Sequence, residues 1–312
     1  MFTKEFLDIP IAKIADTIKE QGYYSFEGAV LPEHIDASIS ELPREIGFNT
    51  NDVRAVYSND QYFFTHILAA SQGFFDLITS KTFFDVSSSY LGGSFRLKCQ
   101  RYYETYGRYK MRWHTDNKDN SENFTTIKGL IFIVYLQDTY DGQFQIVRNS
   151  HRWSAAQKKN DFSPSYLDKN YKDDLITFDG PKGTVVIYDT MCVHRGKPAK
   201  NKSYVRKSLF FQVDDDCDNG EKTIINSEFL PSSVSSNLAM YLGFNKRGNY
   251  PPHPQTSAIR LPTKVVLGSL YTLMKSPFYK AAYGIYNTVS EDHRMKLRKF
   301  IKTNKKLRKT IE

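Results

Sequence analysis

The stretch between Ser94 and Val213 admits few architectures. It is built from short segments rich in β-branched and aromatic residues, SFRLKCQRYYETY, TTIKGLIFIVYL, GQFQIVR, DLITF, GTVVIYD and VRKSLFFQV. Turn pairs such as Asp141-Gly142, Asp179-Gly180 and Lys182-Gly183 punctuate them. Many short strands joined by polar turns predict antiparallel sheets packed as a sandwich or jelly roll, not a parallel α/β sheet. The acidic cluster Asp214, Asp215, Asp216 and Asp218 closes the region.

The flanks read differently. Ile11, Ile14, Ala15 and Ile18 fall at helical spacing, GYYSFEGAV follows as a strand, and IDASISEL and HILAASQGFFDLIT read as helices. Beyond the strands, SEFLPSSVSSNLAMYLGF and GNYPPHPQTS read as an irregular covering segment, and two helices are expected from Lys264 onward, interrupted by Pro277. The expected organisation is a jelly-roll domain with N-terminal helices over residues 1–220, a covering segment over 221–262 and a basic helical extension over 263–312. The fold class is therefore mainly β with flanking helices and a C-terminal helical extension.

Charge narrows the function classes. Residues 261–312 carry 12 Lys and Arg against 3 acidic residues, which accounts for the whole net charge of +9 and leaves 31 of each sign in the first 260. A neutral body argues against a nucleic-acid groove, and so against a nucleic-acid demethylase. The longest apolar run, Leu130 to Leu136, is strand length and far short of the roughly 18 to 20 residues of a bilayer span. The N-terminus lacks the apolar core and cleavage site of a secretory signal, and Cys99, Cys192 and Cys217 share no C-x-x-C spacing. These features predict a cytoplasmic protein.

The chemistry lies in Trp113-His114-Thr115-Asp116. On a strand, residues i and i+2 point to one side, so His114 and Asp116 present an imidazole and a carboxylate together. An H-x-D tripeptide alone is common, and its ordinary reading is a surface turn. GTVVIYDTMCVHRG changes that by setting His194 behind a glycine-led strand, 78 residues after Asp116. Two imidazoles and one carboxylate form the facial set associated with non-haem iron(II), with three adjacent positions open. Twelve residues further, Arg206 stands second in VRKSLFFQV. A guanidinium forms two parallel hydrogen bonds to a carboxylate, which suits the far end of a dicarboxylic oxoacid.

WHTD, LIFIVYLQDTYDGQFQIVRNSHRW, GTVVIYDTMCVHRG and VRKSLFFQV, in this order, resemble the phytanoyl-CoA dioxygenase-like family of iron and 2-oxoglutarate oxygenases over roughly residues 20–213. The resemblance implies a double-stranded β-helix, the cupin-like form of the jelly roll. It also implies Fe(II) on His114, Asp116 and His194, 2-oxoglutarate on Arg206, and dioxygen as co-substrate. It suggests a further 2-oxoglutarate contact from the strand before the H-x-D motif, from either Lys98 or Gln100. Where that family has a Pro-Gly-Ser-His turn, this chain has Arg148-Asn149-Ser150-His151, so Asn149 is expected to take the left-handed conformation and His151 to be structural.

The expected activity is 2-oxoglutarate-dependent hydroxylation of an aliphatic C–H. Asp116 favours this over halogenation, since related halogenating enzymes replace this carboxylate with a small residue. The alternative is a non-catalytic cupin-like binding or membrane adaptor module. In the tail, Leu297, Phe300, Ile301, Leu307 and Ile311 share one helical face amid lysines. That pattern fits either a helix docked on the barrel or peripheral contact with an anionic membrane, which would suit a lipid-linked substrate such as a saccharide or acyl intermediate.

Overall fold

The strand-rich stretch resolves into two antiparallel sheets in the computed structural model. It describes residues 1–42, 53–58, 61–65, 67–107, 111–116, 127–154, 157, 162–218, 220, 223–244 and 246. The strands are β1 (Tyr23–Phe26), β2 (Val53–Ser58), β3 (Gln61–Phe64), β4 (Arg96–Tyr106), β5 (Gly129–Tyr135), β6 (Thr139–Val147), β7 (Leu175–Gly180), β8 (Val185–Asp189), β9 (His194–Gly196) and β10 (Val205–Asp214). The larger sheet has the order β1-β8-β5-β10-β4-β3-β2 and the smaller one β7-β6-β9. Every named pairing is antiparallel.

The reading of β5 as a continuous apolar run has a structural cause, because both of its faces are covered. Leu130, Phe132 and Val134 enter a core shared with helices Ile11–Gln21 and Lys81–Leu91, whereas Ile131, Ile133 and Tyr135 face the smaller sheet with Phe144, Ile146 and Phe178. On the helical side Phe132 stacks on Phe211 of β10 with centroids 4.5 Å apart, and Phe83 packs against both.

Helix Ile11–Gln21 buries Ile14, Ala15 and Ile18, as its spacing predicts, and ends at Gly22 with φ 91°. A side chain at Gly22 would be strained there and would also strike Cys192 Sγ, 2.5 Å from its Cβ. IDASISEL becomes helix Pro32–Ser40. HILAASQGFFDLIT forms two short helices that break at Ser71, whose hydroxyl accepts from Phe74 N and caps the second. Helix Lys81–Leu91 lies outside the segments read as helical from the sequence. Within residues 223–244, helix Ser236–Tyr241 buries Tyr241 against Phe84 and Phe95.

The chain divides into two compact units, residues 1–159 with 173–255, and residues 160–172 with 256–312. In the second, helix Pro164–Asn170 starts with proline in its first turn and is capped by Ser163. The basic helical extension expected over 263–312 lies outside the described residues. No helix among the described residues is long and apolar enough to cross a membrane.

Candidate metal centre and its cavity

Backbone pairing brings the two histidines together. His114 and His194 form an antiparallel bridge, with His114 N donating to His194 O at 3.0 Å and His194 N to His114 O at 2.9 Å. Paired residues present their side chains on the same face, and the ring centroids stand 4.3 Å apart. Asp116 N donates to Thr190 O at 3.2 Å, which anchors its backbone beside them.

The donor set fits a metal ion. Each Nδ1 lies against the carbonyl two residues earlier, His114 on Arg112 O at 2.7 Å and His194 on Cys192 O at 3.0 Å. A carbonyl only accepts, so each Nδ1 carries the proton and each Nε2 offers its lone pair. Asp116 Oδ1 is 3.7 Å from His114 Nε2 and Oδ2 is 3.2 Å from His194 Nε2. One ligand atom from each of the three residues lies within 4.8 Å of the others. Burial drives His194 down to about 4, against the pull of Asp116, so its imidazole is neutral near pH 7. Burial raises Asp116, but His194, His114 and the Tyr188 hydroxyl outweigh it and hold the carboxyl below its usual range. Asp116 and His194 are thus already in the protonation states that ligation needs.

His194 is held in place by the turn after β6. Asn149 adopts φ 63° as expected. The turn then delivers Ser150, fully buried, whose hydroxyl donates to Val147 O at 2.6 Å and accepts from Val193 N at 2.7 Å. His151 points elsewhere, its Nε2 on Lys19 O at 3.1 Å. Ser150→Ala leaves Val193 N–H without that acceptor and is expected to lower stability by about 1 to 3 kcal/mol. In urea this reads as a lower midpoint at unchanged slope; an unmoved midpoint means that the turn is held by other contacts.

A cavity of about 490 Å³ opens from the three ligands, lined by Met111, Phe144, Tyr135, Ser208, Phe210 and Arg206 among others. Arg206, 8% exposed, donates through Nη1 to Gly142 O, and its guanidinium lies on Gly196, where a Cβ would come within 3.1 Å of Nη2. Gly196 follows His194 by two residues on β9. The guanidinium therefore lies over a position about 6.6 Å of strand beyond His194.

The structure brings Lys98 and not Gln100 to this cavity. On a regular strand the two would share a face. Here β4 pairs Leu97 with Val213 and Cys99 with Gln212, so Lys98 is the extra residue of a bulge and the face reverses beyond it. Lys98 Nζ pairs with Asp214 at 3.3 Å and Asp216 at 3.7 Å, while Gln100, buried on the other side, donates to Thr65 O at 3.1 Å. Arg101 and Tyr103, unread from the sequence, also line the cavity.

Tyr188 is a further unread residue. It is 1% exposed, and its hydroxyl lies 3.2 Å from Asp116 Oδ2 and 3.3 Å from His194 Nε2. Burial, reinforced by Asp116, pushes its phenol well above the usual range.

No protein-family model matches the chain, and no protein of curated function matches it in sequence. Solved structures do match. HygX from Streptomyces hygroscopicus, with nickel and 2-oxoglutarate bound, is 16% identical with a TM-score of 0.54, over 81% of this chain and 97% of that one. The apoform of EctD from S. alaskensis is 19% identical with a TM-score of 0.53, over 81% and 91%. The non-haem alpha ketoglutarate dependent carbocyclase SnoK, from nogalamycin biosynthesis, is 13% identical with a TM-score of 0.51, over 67% and 86%. At these identities the likeness is one of fold, and it bears out the jelly-roll expectation.

Proposed function

We propose that the protein is an Fe(II)- and 2-oxoglutarate-dependent dioxygenase that hydroxylates an aliphatic C–H of a small or lipid-linked molecule. The observation that carries this reading is the placement of Arg206 in the same cavity as His114, Asp116 and His194. Three ligands alone would suit several metals and tasks; a buried guanidinium a short strand-length away adds a seat for a dicarboxylate. The ligands bound by HygX support the same choice. The finer assignment to the phytanoyl-CoA dioxygenase-like group rests on the order of WHTD, the glycine-led strand before His194, and Arg206.

When bound, iron(II) with 2-oxoglutarate and dioxygen supplies the oxidising power that removes hydrogen from the substrate. The chain supplies position. His114 and His194 turn their Nε2 atoms inward because their Nδ1 protons are engaged by backbone carbonyls. Arg206 holds the distal carboxylate of the oxoacid. Phe144, Ile133, Tyr103 and Phe210 give the cavity apolar and aromatic walls against which a C–H can be held.

The test is anaerobic addition of iron(II) and then 2-oxoglutarate. A weak visible charge-transfer band should appear only with both present. Absence of the band together with failure to retain iron would sink the reading; a band without succinate formation in air would favour the non-catalytic binding module.

A further inference from the structure

The facial set leaves one ligand underdetermined. A carboxylate has two oxygens and rotates about a single bond, so it can offer one or both to a metal; offering both fills one of the positions the proposed co-substrates need. Asp116 hangs from a bend beyond the His114 bridge and is partly exposed, so its backbone does little to select between these states.

Tyr188 stands where the selection can be made. It lies on β8, every residue of which is buried, and its ring is wedged between Phe144 and His194, with both centroids 4.8 Å away. The hydroxyl has two neighbours to bond, Asp116 Oδ2 at 3.2 Å and His194 Nε2 at 3.3 Å. Metal ligation commits the Nε2 lone pair, which leaves the Asp116 oxygen as the acceptor. We propose that Tyr188 is a positioning residue, whose hydroxyl restrains one oxygen of Asp116 so that the carboxylate presents only the other to the metal. This rests on the metal-dependent reading above. It assigns to an aromatic of the strand core the outer-sphere role that hydrogen-bonding partners of metal ligands play elsewhere.

The test is iron(II) titration of the full chain, anaerobically, for wild type, Tyr188→Phe and a control, Tyr241→Phe. Tyr241 is another buried phenol, whose hydroxyl donates to Ile78 O at 3.0 Å, well away from the ligands. Tyr188→Phe is expected to weaken iron(II) binding roughly 10- to 100-fold, with the metal-free protein still folded and melting no lower than Tyr241→Phe. Tyr241→Phe is expected to keep wild-type iron affinity while melting lower. Equal iron affinity in Tyr188→Phe and wild type overturns the proposal, as does an equal loss in both variants. So does an intense visible band in the ferric wild type that vanishes in Tyr188→Phe, because the phenol oxygen would then be a ligand itself. Failure of the wild type to bind iron(II) would instead defeat the functional reading, so the two failures are distinguishable.

Discussion

Replacing His114, Asp116 or His194 with alanine is expected to abolish iron-dependent decarboxylation of 2-oxoglutarate while leaving the two sheets assembled. The first half follows from the donor count, since a facial site has no spare protein ligand. The second follows from how the centre is built. The bonds that join the segments of His114 and His194 run between backbone N–H and C=O groups and survive truncation of the side chains. His194→Ala carries an additional cost, of order 2 to 4 kcal/mol, because it empties a buried site between Phe144 and Tyr188. His114→Ala and Asp116→Ala, partly exposed, are the cleaner variants. Purified His114→Ala and Asp116→Ala with wild-type melting profiles, and His194→Ala assayed below its lowered melting temperature, should form no succinate. Near-normal turnover in any two of the three would remove the triad from the site.

Arg206→Ala is the second large effect expected, on co-substrate and not on metal. Loss of one charged hydrogen-bonding partner is worth about 1.5 to 3 kcal/mol, or roughly 10- to 100-fold in the 2-oxoglutarate dissociation constant. Iron(II) affinity should stay as it was, because the Arg206 guanidinium lies over Gly196, two residues beyond His194, and is not among the three candidate ligands. Arg206→Lys should recover little, since an ammonium cannot form the paired bonds of a guanidinium. Titration of 2-oxoglutarate into iron-loaded protein reads both variants. A midpoint unmoved in Arg206→Ala would place the oxoacid elsewhere.

The parts of this site that could be read from sequence are those fixed by short-range geometry. The H-x-D spacing sets His114 and Asp116 close together, although Asp116 lies in a bend and not on a strand; His194 follows a glycine-led strand, and Arg206 is the second residue of the next one. Lys98 and Gln100 were inseparable because alternation assumes a regular strand, and the bulge at Lys98 obeys the pairing with β10, which lies more than a hundred residues away. Tyr188 hid inside VVIYD, where an aromatic among Val and Ile reads as core, although its hydroxyl is a polar handle. Helix Lys81–Leu91 was obscured by its serines. Ser80 caps it and Ser87 bonds back to Phe83 O, so the polar groups that diluted the apolar pattern are satisfied by the helix itself.

The His114–His194 bridge also bears on the order in which the molecule forms. It joins residues 80 apart in the chain, a closure whose entropic cost must be met by other contacts before the pair can gain anything. Those contacts are the two-faced burial of β5 and β8, with the helices on one side and the smaller sheet on the other. The three candidate ligands are accordingly expected to come into register only when the apolar layers are in place, so a substitution that loosens the core should weaken metal binding before it unfolds the sheets.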